Sequence, residues 1–254
     1  STLNSNDDFT IPDKVEPFAL HIHNYYPDVF SEILWRIKLN KLIPDIYISA
    51  PNESIKNQTL DQLQDYNGNY KIEIVPNIGR DIAPFLVTFG RELFDNYEII
   101  GHVHTKKSSF IDDRLYIQSW IDFLYENMLG GSTKMMDSII SKMISDPKIG
   151  LIFPDDPNVL NWGINTQPAK ELFNKLSIDF IDNKNFDFPT GNMFWCRANS
   201  LRKLLELDLN YKNMPKEPIK NDGTILHALE RMTPFIAEIS GYKILKTYVE
   251  GITR

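Results

Sequence analysis

The chain has 254 residues, of which 42% are hydrophobic and 12% aromatic, so it can bury a substantial core, and a disordered protein is excluded. Its formal net charge of −7 argues against bulk attraction to nucleic acid or to an anionic membrane. The single cysteine, Cys196, excludes an internal disulfide and a cysteine-based zinc site, and it is typical of a reducing compartment. No apolar run approaches the ~18 residues of a membrane span.

The first part of the chain alternates between strand and helix patterns after a polar start. Residues 1–17 are predicted to be a disordered N-terminus or a linker. The predicted strands cover residues 18–26, 44–51, 70–77 and 97–105, and the predicted helices cover 27–42, 54–68 and 78–96. This alternation predicts a parallel α/β sheet, in which the junctions that follow the strands line a ligand crevice.

The second part of the chain is less regular. Residues 120–146 are predicted to be helical with a break at Gly130-Gly131, and residues 155–184 are predicted to be rich in loops. Asp222 is predicted to be the N-cap of a late helix. The remaining predictions are strands at 149–154, 188–197 and 241–249 and a helix at 198–207.

Two motifs of the same form, His21-x-His23 and His102-x-His104, stand at the ends of the first and fourth predicted strands. Alternate residues on a strand share one face, so each pair could chelate a metal ion, as in zinc hydrolases that carry a His-x-His motif. The alternative is that one histidine of each pair packs in the core and the other caps a loop. The residues alone leave both interpretations open.

Cations follow the fourth predicted strand. Lys106, Lys107 and Ser108 place two positive charges beside hydroxyl groups at a strand end, which suits a phosphate or a diphosphate. A solvated turn is the alternative. The flanking histidines and Thr105 support the anion site.

The segment "PNIGRDIAPF" places Gly79 and Arg80 just before a predicted helix. A helix N-terminus with a nearby arginine is a ready anion site. Asp81 could cap this helix, bond a sugar hydroxyl or hold Arg80. An ordinary capped helix start would explain the same residues.

Two later motifs suggest an acceptor side. In "FPTGNMFWCR", Gly191 would let a ligand approach the backbone, and Phe194 and Trp195 have flat apolar faces of the kind on which sugars stack. A core strand is the alternative, and we expect one face in the core and the other at the site.

In "NDGTILHALER", Glu230 and Arg231 lie three and four residues after His227, on one face of the predicted helix. A carboxylate at its start, Asp222, could act as a general base. An N-cap at Asp222 and a surface ion pair at Glu230 explain the spacing equally well.

Taken in order, the motifs "HIHNYYPD", "PNIGRDIAPFL", "HVHTKKS", "IGLIFP", "WGIN", "FPTGNMFW" and "DGTILHALER" resemble the rhamnan synthesis F family of bacterial polysaccharide proteins. The resemblance extends from about residue 18 to about residue 242. It implies glycosyl transfer, notably of rhamnose, during the assembly of cell-wall rhamnan or O-antigen.

The order of elements also resembles a GT-A glycosyltransferase. This implies an α/β fold with a mostly parallel nucleotide-binding sheet flanked by helices and a less regular acceptor-side half. Residues 18–254 would form one domain, with the nucleotide-sugar half at 18–108 and the acceptor half at 109–254.

GT-A enzymes normally hold a divalent metal with an Asp-x-Asp motif, where this chain has His102-Val103-His104. Because imidazole suits softer metals than Mg²⁺ or Mn²⁺, we predict no cofactor and little metal dependence. A divalent ion at His102 and His104 is the less favoured alternative. Lysines and histidines would instead neutralise the leaving diphosphate.

The resemblance implies an inverting transfer from dTDP-L-rhamnose to a glycan or lipid-linked glycan, with Asp222 as the base and Glu230 as the second candidate. The predicted donor-binding residues are His21, His23, Asn24, Asn77, Gly79, Arg80, Asp81, His102, His104, Lys106 and Lys107. The predicted acceptor-binding residues are Gly191, Phe194, Trp195 and His227.

Two other functions stay open. One is a metal-dependent hydrolase built on the His-x-His pairs, and the other is a non-catalytic glycan-binding module of a larger assembly protein. No nucleic-acid partner is expected. The predicted location is the cytoplasm at the inner face of the bacterial plasma membrane, with membrane association peripheral or made through other domains.

Overall fold

The computed structural model describes residues 1–107, 114–157, 161–183 and 185–252, and for residues 114–117 it describes the backbone alone. The strands in these ranges are β1 (Thr2–Asn4), β2 (Ala19–His23), β3 (Asp45–Ala50), β4 (Tyr70–Ile74), β5 (Ile99–His104), β6 (Ile149–Pro154), β7 (Phe194–Arg197) and β8 (Lys243–Tyr248). They form one sheet in the order β1-β8-β6-β7-β5-β2-β3-β4. Strand β7 runs antiparallel to β5 and β6, and the other neighbours pair in parallel.

Helices cover both faces of this sheet. The α-helices of the described residues are α1 (Pro27–Lys38), α2 (Glu53–Gln62), α3 (Gly90–Asn96), α4 (Arg114–Met128), α5 (Met135–Ser145), α6 (Thr166–Lys175), α7 (Ala198–Leu201) and α8 (Ile225–Ile239). Shorter segments are the π-helical turn Pro84–Thr88 and the 3₁₀ turns Gly163–Asn165 and Arg202–Leu207. The predicted α/β class, a mostly parallel sheet flanked by helices, is confirmed.

The sheet separates two apolar cores. One core packs α1, α4 and α5 against the sheet and includes Phe30, Tyr125 and Trp195. The other core packs the π-helical turn, α3, α6 and α8 against the opposite face and includes Phe85 and Phe235. Because side chains alternate along a strand, β2 and β5 contribute apolar residues to the first core and direct their histidines toward the second.

Most predicted elements are confirmed, including the break between α4 and α5 at Gly130-Gly131. The disordered N-terminus is wrong for residues 2–4, because β1 pairs with β8 and Leu3 is buried. The loop-rich prediction for 155–184 is wrong where Gly163–Asn165 and α6 form. The apolar positions Ala169, Leu172 and Phe173 bury one face of α6 against α8, which outweighs the Asn and Pro content of the segment.

Gly101 lies in the middle of β5, where an added Cβ would stand 2.7 Å from Leu20 Cδ1 and 2.8 Å from the Trp195 ring. Both neighbours are fully buried, so neither can move without disturbing the core. We expect Gly101→Ala to lower the free energy of unfolding by about 1–3 kcal/mol through overpacking. Urea unfolding measures this, and a loss below about 0.5 kcal/mol would mean that the core opens to admit the methyl group.

Candidate active site

The register between β2 and β5 brings the four histidines together. His21 pairs with His102 and His23 pairs with His104, so both His-x-His motifs present their side chains on one sheet face. The rings of His21 and His102 lie side by side and nearly parallel, with centroids 5.0 Å apart and planes at 3°. The predicted shared face is therefore observed, and the two motifs form one cluster at the strand ends.

A chain of hydrogen bonds runs through this cluster. Ser49, at the end of β3, has its Oγ 2.8 Å from His23 Nδ1 and 3.1 Å from His21 Nε2. His21 Nδ1 lies 2.9 Å from His102 Nδ1, and His102 Nε2 lies 2.9 Å from Asp81 Oδ2. All five side chains are buried.

Burial sets the protonation of these histidines. It lowers the pKa of His21 well below its usual range, and the neighbouring imidazoles lower it further. It lowers the pKa of His23 to about 4. Burial also lowers the pKa of His102, although Asp81 opposes this shift. The predicted role of protonated histidines in neutralising a diphosphate is therefore not favoured for these three side chains.

Asp81 lies after a turn in which Gly79 and Arg80 both adopt the left-handed conformation, with φ of 71° and 50°. Its Oδ2 accepts hydrogen bonds from His102 Nε2 and, at 2.7 Å, from Asn192 Nδ2. Burial alone would raise the pKa of Asp81, but His104, His102 and Asn192 hold it well below its usual range. Asp81 is therefore a buried carboxylate at the head of the histidine chain.

The helix predicted to open at Gly79 begins later, at Ile82, because Gly79 and Arg80 both have positive φ. Asp81 directly precedes this segment, and its side chain bonds His102 and Asn192 rather than Arg80. The Arg80 guanidinium lies 3.7 Å from Glu217 and donates to the Ile219 carbonyl.

The turn at Gly191 and Asn192 joins the histidine cluster to α8. His104 Nε2 donates to the Gly191 carbonyl at 2.8 Å, and the Gly191 amide donates to Glu230 Oε1 at 2.7 Å. Gly191 has φ of 86°, and an added Cβ would stand 2.8 Å from Leu124 Cδ1. Gly191 was predicted to let a ligand approach the backbone. In the structure it is the protein's own Leu124 side chain that lies close to it.

Glu230 is the carboxyl group whose surroundings best suit it to accept a proton. Burial raises its pKa to about 7, against the opposing effects of Arg231 and the Gly191 amide. Asp81 and Lys106 also act on it electrostatically, so these charged groups lie around one space. A carboxyl group with a pKa near 7 can accept a proton effectively at neutral pH.

Asp222 and His227 form a second group beside the first. The Asp222 carboxylate accepts from Asn165 Nδ2 at 2.7 Å and lies 3.6 Å from Arg231 Nη2. Partial burial would raise the pKa of Asp222, but Asn165 and Arg231 lower it. Its prediction as a helix N-cap is wrong, because Thr224 caps α8 through its side chain.

The His227 ring lies 2.8 Å from the Thr224 hydroxyl. Burial lowers the pKa of His227, and the nearby Asp222 carboxylate raises it. His227 and Asp222 are therefore neighbours, as the predicted acceptor side requires.

The two lysines at the end of β5 diverge. The Lys106 ammonium lies 3.6 Å from the centre of the Trp120 ring. Lys107 forms an ion pair with Asp28 at the start of α1, and Tyr26 lies beside it. Ser108, the third member of the predicted cluster, lies outside the described residues.

Two predicted donor residues lie at the edges of the cluster. Asn24 is fully buried, and its side-chain amide donates to Thr59 of α2. Asn77 is exposed after β4. Neither side chain makes a described hydrogen bond to the histidine chain, although the Asn24 backbone amide donates to the Ser49 carbonyl at 2.8 Å.

The prediction that Phe194 and Trp195 stack on a sugar is corrected by their burial, because they are 2% and 0% exposed. Phe194 packs against His102, and the Trp195 indole donates to the Met128 carbonyl. The strand β7 lies between β5 and β6 with helices on both sides, so neither of its faces is open to a ligand.

The side chains at the Asp-x-Asp position do not fit a hard divalent ion. Both ring nitrogens of His102 already face protein partners, and His104 donates to a carbonyl. Among the described residues, no group of three or more His, Cys, Asp or Glu side chains could hold a metal ion. We therefore assign no step of the chemistry to a metal.

Ser49 and Asn192 belong to the site but were not predicted from the sequence. Ser49 shares a face with Tyr47 near the end of β3, and this alternation could have placed it beside the histidines. Asn192 follows Gly191 in a turn, and its contact with Asp81 depends on the tertiary fold alone.

The sequence matches the family described as rhamnan synthesis protein F over residues 3–242. The chain belongs to this family. The resemblance inferred from the ordered motifs is thereby confirmed, and membership of the rhamnan synthesis protein F family supports the predicted class, a glycosyltransferase of polysaccharide synthesis.

The chain is also similar to the uncharacterized protein WxcX of Xanthomonas campestris pv. campestris, strains B100 and ATCC 33913. In each case the identity is 33% over 190 residues, which cover 72% of this chain and 26% of the relative. The chain thus spans about a quarter of the length of these curated relatives.

Solved structures with a related shape include Staphylococcus aureus TarS 1–349, with 10% identity, a TM-score of 0.47, and coverage of 91% of this chain and 58% of that chain. Glucosyl-3-phosphoglycerate synthase from Mycobacterium tuberculosis, in complex with Mn²⁺, UDP and glucosyl-3-phosphoglycerate, has 8% identity and a TM-score of 0.40. The coverage there is 91% of this chain and 69% of that chain.

Among the described residues, no helix is both long and apolar enough to cross a bilayer.

Proposed function

We propose that this chain transfers a sugar, L-rhamnose from dTDP-L-rhamnose, with inversion to a growing bacterial cell-surface polysaccharide. The observation that supports this most strongly is the pairing of two carboxyl groups with opposite properties across the Gly191–Asn192 turn. Asp81 is held as a carboxylate, and Glu230 has a pKa near 7. Groups whose environments separate their pKa values are suited to different roles in one reaction.

Glu230 is the base in this proposal. It takes the proton of an acceptor hydroxyl while the hydroxyl oxygen attacks the anomeric carbon of the donor. The bond from that carbon to the diphosphate breaks, and the diphosphate leaves with the bonding electrons. A single attack of this kind inverts the anomeric carbon.

The geometry favours Glu230 over Asp222, which reverses the order given with the family resemblance. Asp222 is already bound by Asn165 and lies near Arg231, which lowers its proton affinity. A weaker base has less driving force to accept a hydroxyl proton. Asp222 and His227 are instead proposed to bind hydroxyl groups of the acceptor glycan.

Donor binding is assigned to the strand ends. Asp81 would accept a hydrogen bond from a sugar hydroxyl, and the cations at the end of β5 would neutralise the leaving diphosphate without a metal ion. The proposed donor-binding region contains the predicted residues His21, His23, Asn24, Asn77, Gly79, Arg80, Asp81, His102, His104, Lys106 and Lys107. Of these, His21, His102 and the buried Asn24 support the region from within, because their side chains already bond to protein partners. The acceptor is a glycan or lipid-linked glycan, and any approach to the inner face of the membrane is peripheral or uses other segments of a longer protein.

A thermal-shift panel of dTDP, UDP, GDP and CMP, each with EDTA or Mn²⁺, tests this function. A ligand at 100 times its dissociation constant adds about 2.7 kcal/mol of stability. We expect dTDP to stabilise the protein equally with EDTA and with Mn²⁺.

Stabilisation only with Mn²⁺ would still support a transferase but would mean that the site binds a metal ion. No response to any nucleotide, with binding of a glycan, would favour the non-catalytic module. Zinc retained by an active preparation would favour the hydrolase.

A further inference from the structure

The hydrogen-bond chain His23–Ser49–His21–His102–Asp81 has one self-consistent direction when the three imidazoles are neutral and Asp81 is a carboxylate. A neutral imidazole has one donor and one acceptor nitrogen, and a hydroxyl group donates once. Fixing the proton at one contact therefore fixes it at every other contact along the chain.

Asp81 fixes the first contact. A carboxylate can only accept hydrogen bonds, so Asp81 Oδ2 accepts at 2.9 Å from a protonated His102 Nε2 and at 2.7 Å from Asn192 Nδ2, which also lies 3.2 Å from that ring nitrogen. If His102 is neutral, its Nδ1 accepts from His21 Nδ1–H. His21 Nε2 then accepts from the Ser49 hydroxyl, whose oxygen accepts from His23 Nδ1–H.

The opposite direction requires a charged His102. That ring is 0% exposed and lies between Phe85, at 4.6 Å between centroids, and Phe194, at 5.5 Å. The neighbouring imidazole, His21, is itself neutral, because burial lowers its pKa well below the usual range, so it cannot balance a positive charge on His102. Burial lowers the pKa of His102 in spite of Asp81, so the neutral direction is favoured.

In the neutral direction, the chain ends in a lone pair on His23 Nε2. His23 Nδ1 faces inward to Ser49, and no described residue forms a hydrogen bond to Nε2. Tyr25, which is 36% exposed, lies 6.5 Å from the His23 ring between centroids. An acceptor nitrogen beside an exposed aromatic ring suits a planar heterocycle that carries a ring N–H.

We propose that His23 Nε2 accepts the ring N–H of the donor's nucleobase, such as N3–H of thymine or uracil, and that Ser49 and His21 are positioning residues that keep this nitrogen an acceptor. This inference rests on the proposed nucleotide-sugar donor. It makes base selection depend on Asp81, four hydrogen bonds away, because the carboxylate sets the direction of the whole chain.

Long-range ¹H–¹⁵N spectra of ¹⁵N-histidine-labelled protein at pH 7.5 test the chain. We expect protons on Nδ1 of His21 and His23 and on Nε2 of His102. Ser49→Ala should move the His23 proton to Nε2 and leave His102 unchanged, which a merely structural role for Ser49 would not do. A wild-type His23 protonated on Nε2, or a His102 imidazolium, would overturn the proposal.

Equilibrium binding of dTDP, N3-methyl-dTDP and dCDP tests the recognition. We expect the wild type to bind dTDP at least about tenfold more tightly than either analogue, since a buried acceptor loses its donor. In Ser49→Ala the preference for dTDP over dCDP should disappear, because dCDP offers an acceptor at N3.

Two outcomes separate the failures. Equal wild-type affinity for dTDP and N3-methyl-dTDP would overturn this inference while leaving the transferase intact. Binding of no nucleotide would overturn the proposed function and base recognition with it.

Discussion

Glu230→Gln is expected to lower kcat by about 10²- to 10⁴-fold, the usual contribution of a general base. The amide oxygen of glutamine can still accept the Gly191 amide hydrogen, which keeps the turn in place, but it cannot take a proton from a hydroxyl. Donor affinity should stay within about twofold, because the substitution removes an interaction that is made only in the transition state and leaves binding of the ground state unchanged. Single-turnover kinetics with a dTDP-sugar donor measure the rate, and dTDP titration measures the affinity.

The matched control is Asp222→Asn. Its amide oxygen keeps the bond from Asn165, so this variant should mainly raise the KM for the acceptor. A large loss of kcat in Asp222→Asn with near-normal kcat in Glu230→Gln would restore Asp222 as the base.

The activity of the wild type should rise with pH through about 7, because Glu230 must be ionised to accept the proton and burial raises its pKa to about that value. Glu230→Gln should also be more stable than the wild type at pH 8 by about 1–3 kcal/mol, since the folded protein no longer holds a disfavoured charge. The gain should shrink as the pH falls from 7 toward 4.5 and vanish below about pH 4, where Glu230 is neutral in both the folded and the unfolded state. A flat pH profile between pH 6 and 8 would contradict this assignment.

The meeting of the four histidines was predictable because two simple rules determine it. Parallel strands place their carboxyl ends at one edge, and alternation places His21 with His23 and His102 with His104 on single faces. What the pattern could not determine is the partner of each ring. The hydrogen bonds to Ser49 and Asp81 arise between segments that are distant in sequence and adjacent only in the folded sheet.

The wrong local predictions have tertiary causes. Arg80 adopts a positive φ that sequence patterns rarely indicate for arginine, and after this turn the Asp81 side chain faces the buried His102. Phe194 looked available because an alternating strand usually has one open face, but β7 is covered on both sides. Aromatic residues near a functional glycine are therefore weak evidence for sugar stacking until burial is known.

As the pH is lowered near 5.5, the free energy of unfolding is expected to fall by up to about 2.7 kcal/mol per pH unit. This slope corresponds to a net uptake of two protons on unfolding. His21, His23 and His102 have folded pKa values below their unfolded value near 6.5, so unfolding takes up at most three protons there. Glu230 acts in the opposite direction, because its folded pKa of about 7 exceeds its unfolded value. Stability therefore rises with pH through this window and is lost as the pH falls from about 6.5 toward 4.

Urea unfolding between pH 7.5 and 5, followed by the fluorescence of tryptophan, measures this slope. The groups that act on the three rings include Asp81 and His104, and Asp81 is ionised throughout the window because its folded pKa lies well below the usual range. The slope therefore reports on the histidines and on Glu230.

Two variants separate these contributions. Glu230→Gln removes the opposing proton and should steepen the slope to about 4 kcal/mol per pH unit, whereas His23→Gln should reduce it by about 1.4. His227→Gln, on the partly exposed side of α8, should change it least. A slope that corresponds to the uptake of one proton or less would mean that the histidines of the folded cluster become protonated in this range. Protonated histidines could neutralise a diphosphate directly. The acid slope thus distinguishes a neutral hydrogen-bond chain that reads the donor from a cationic pocket that binds it by charge.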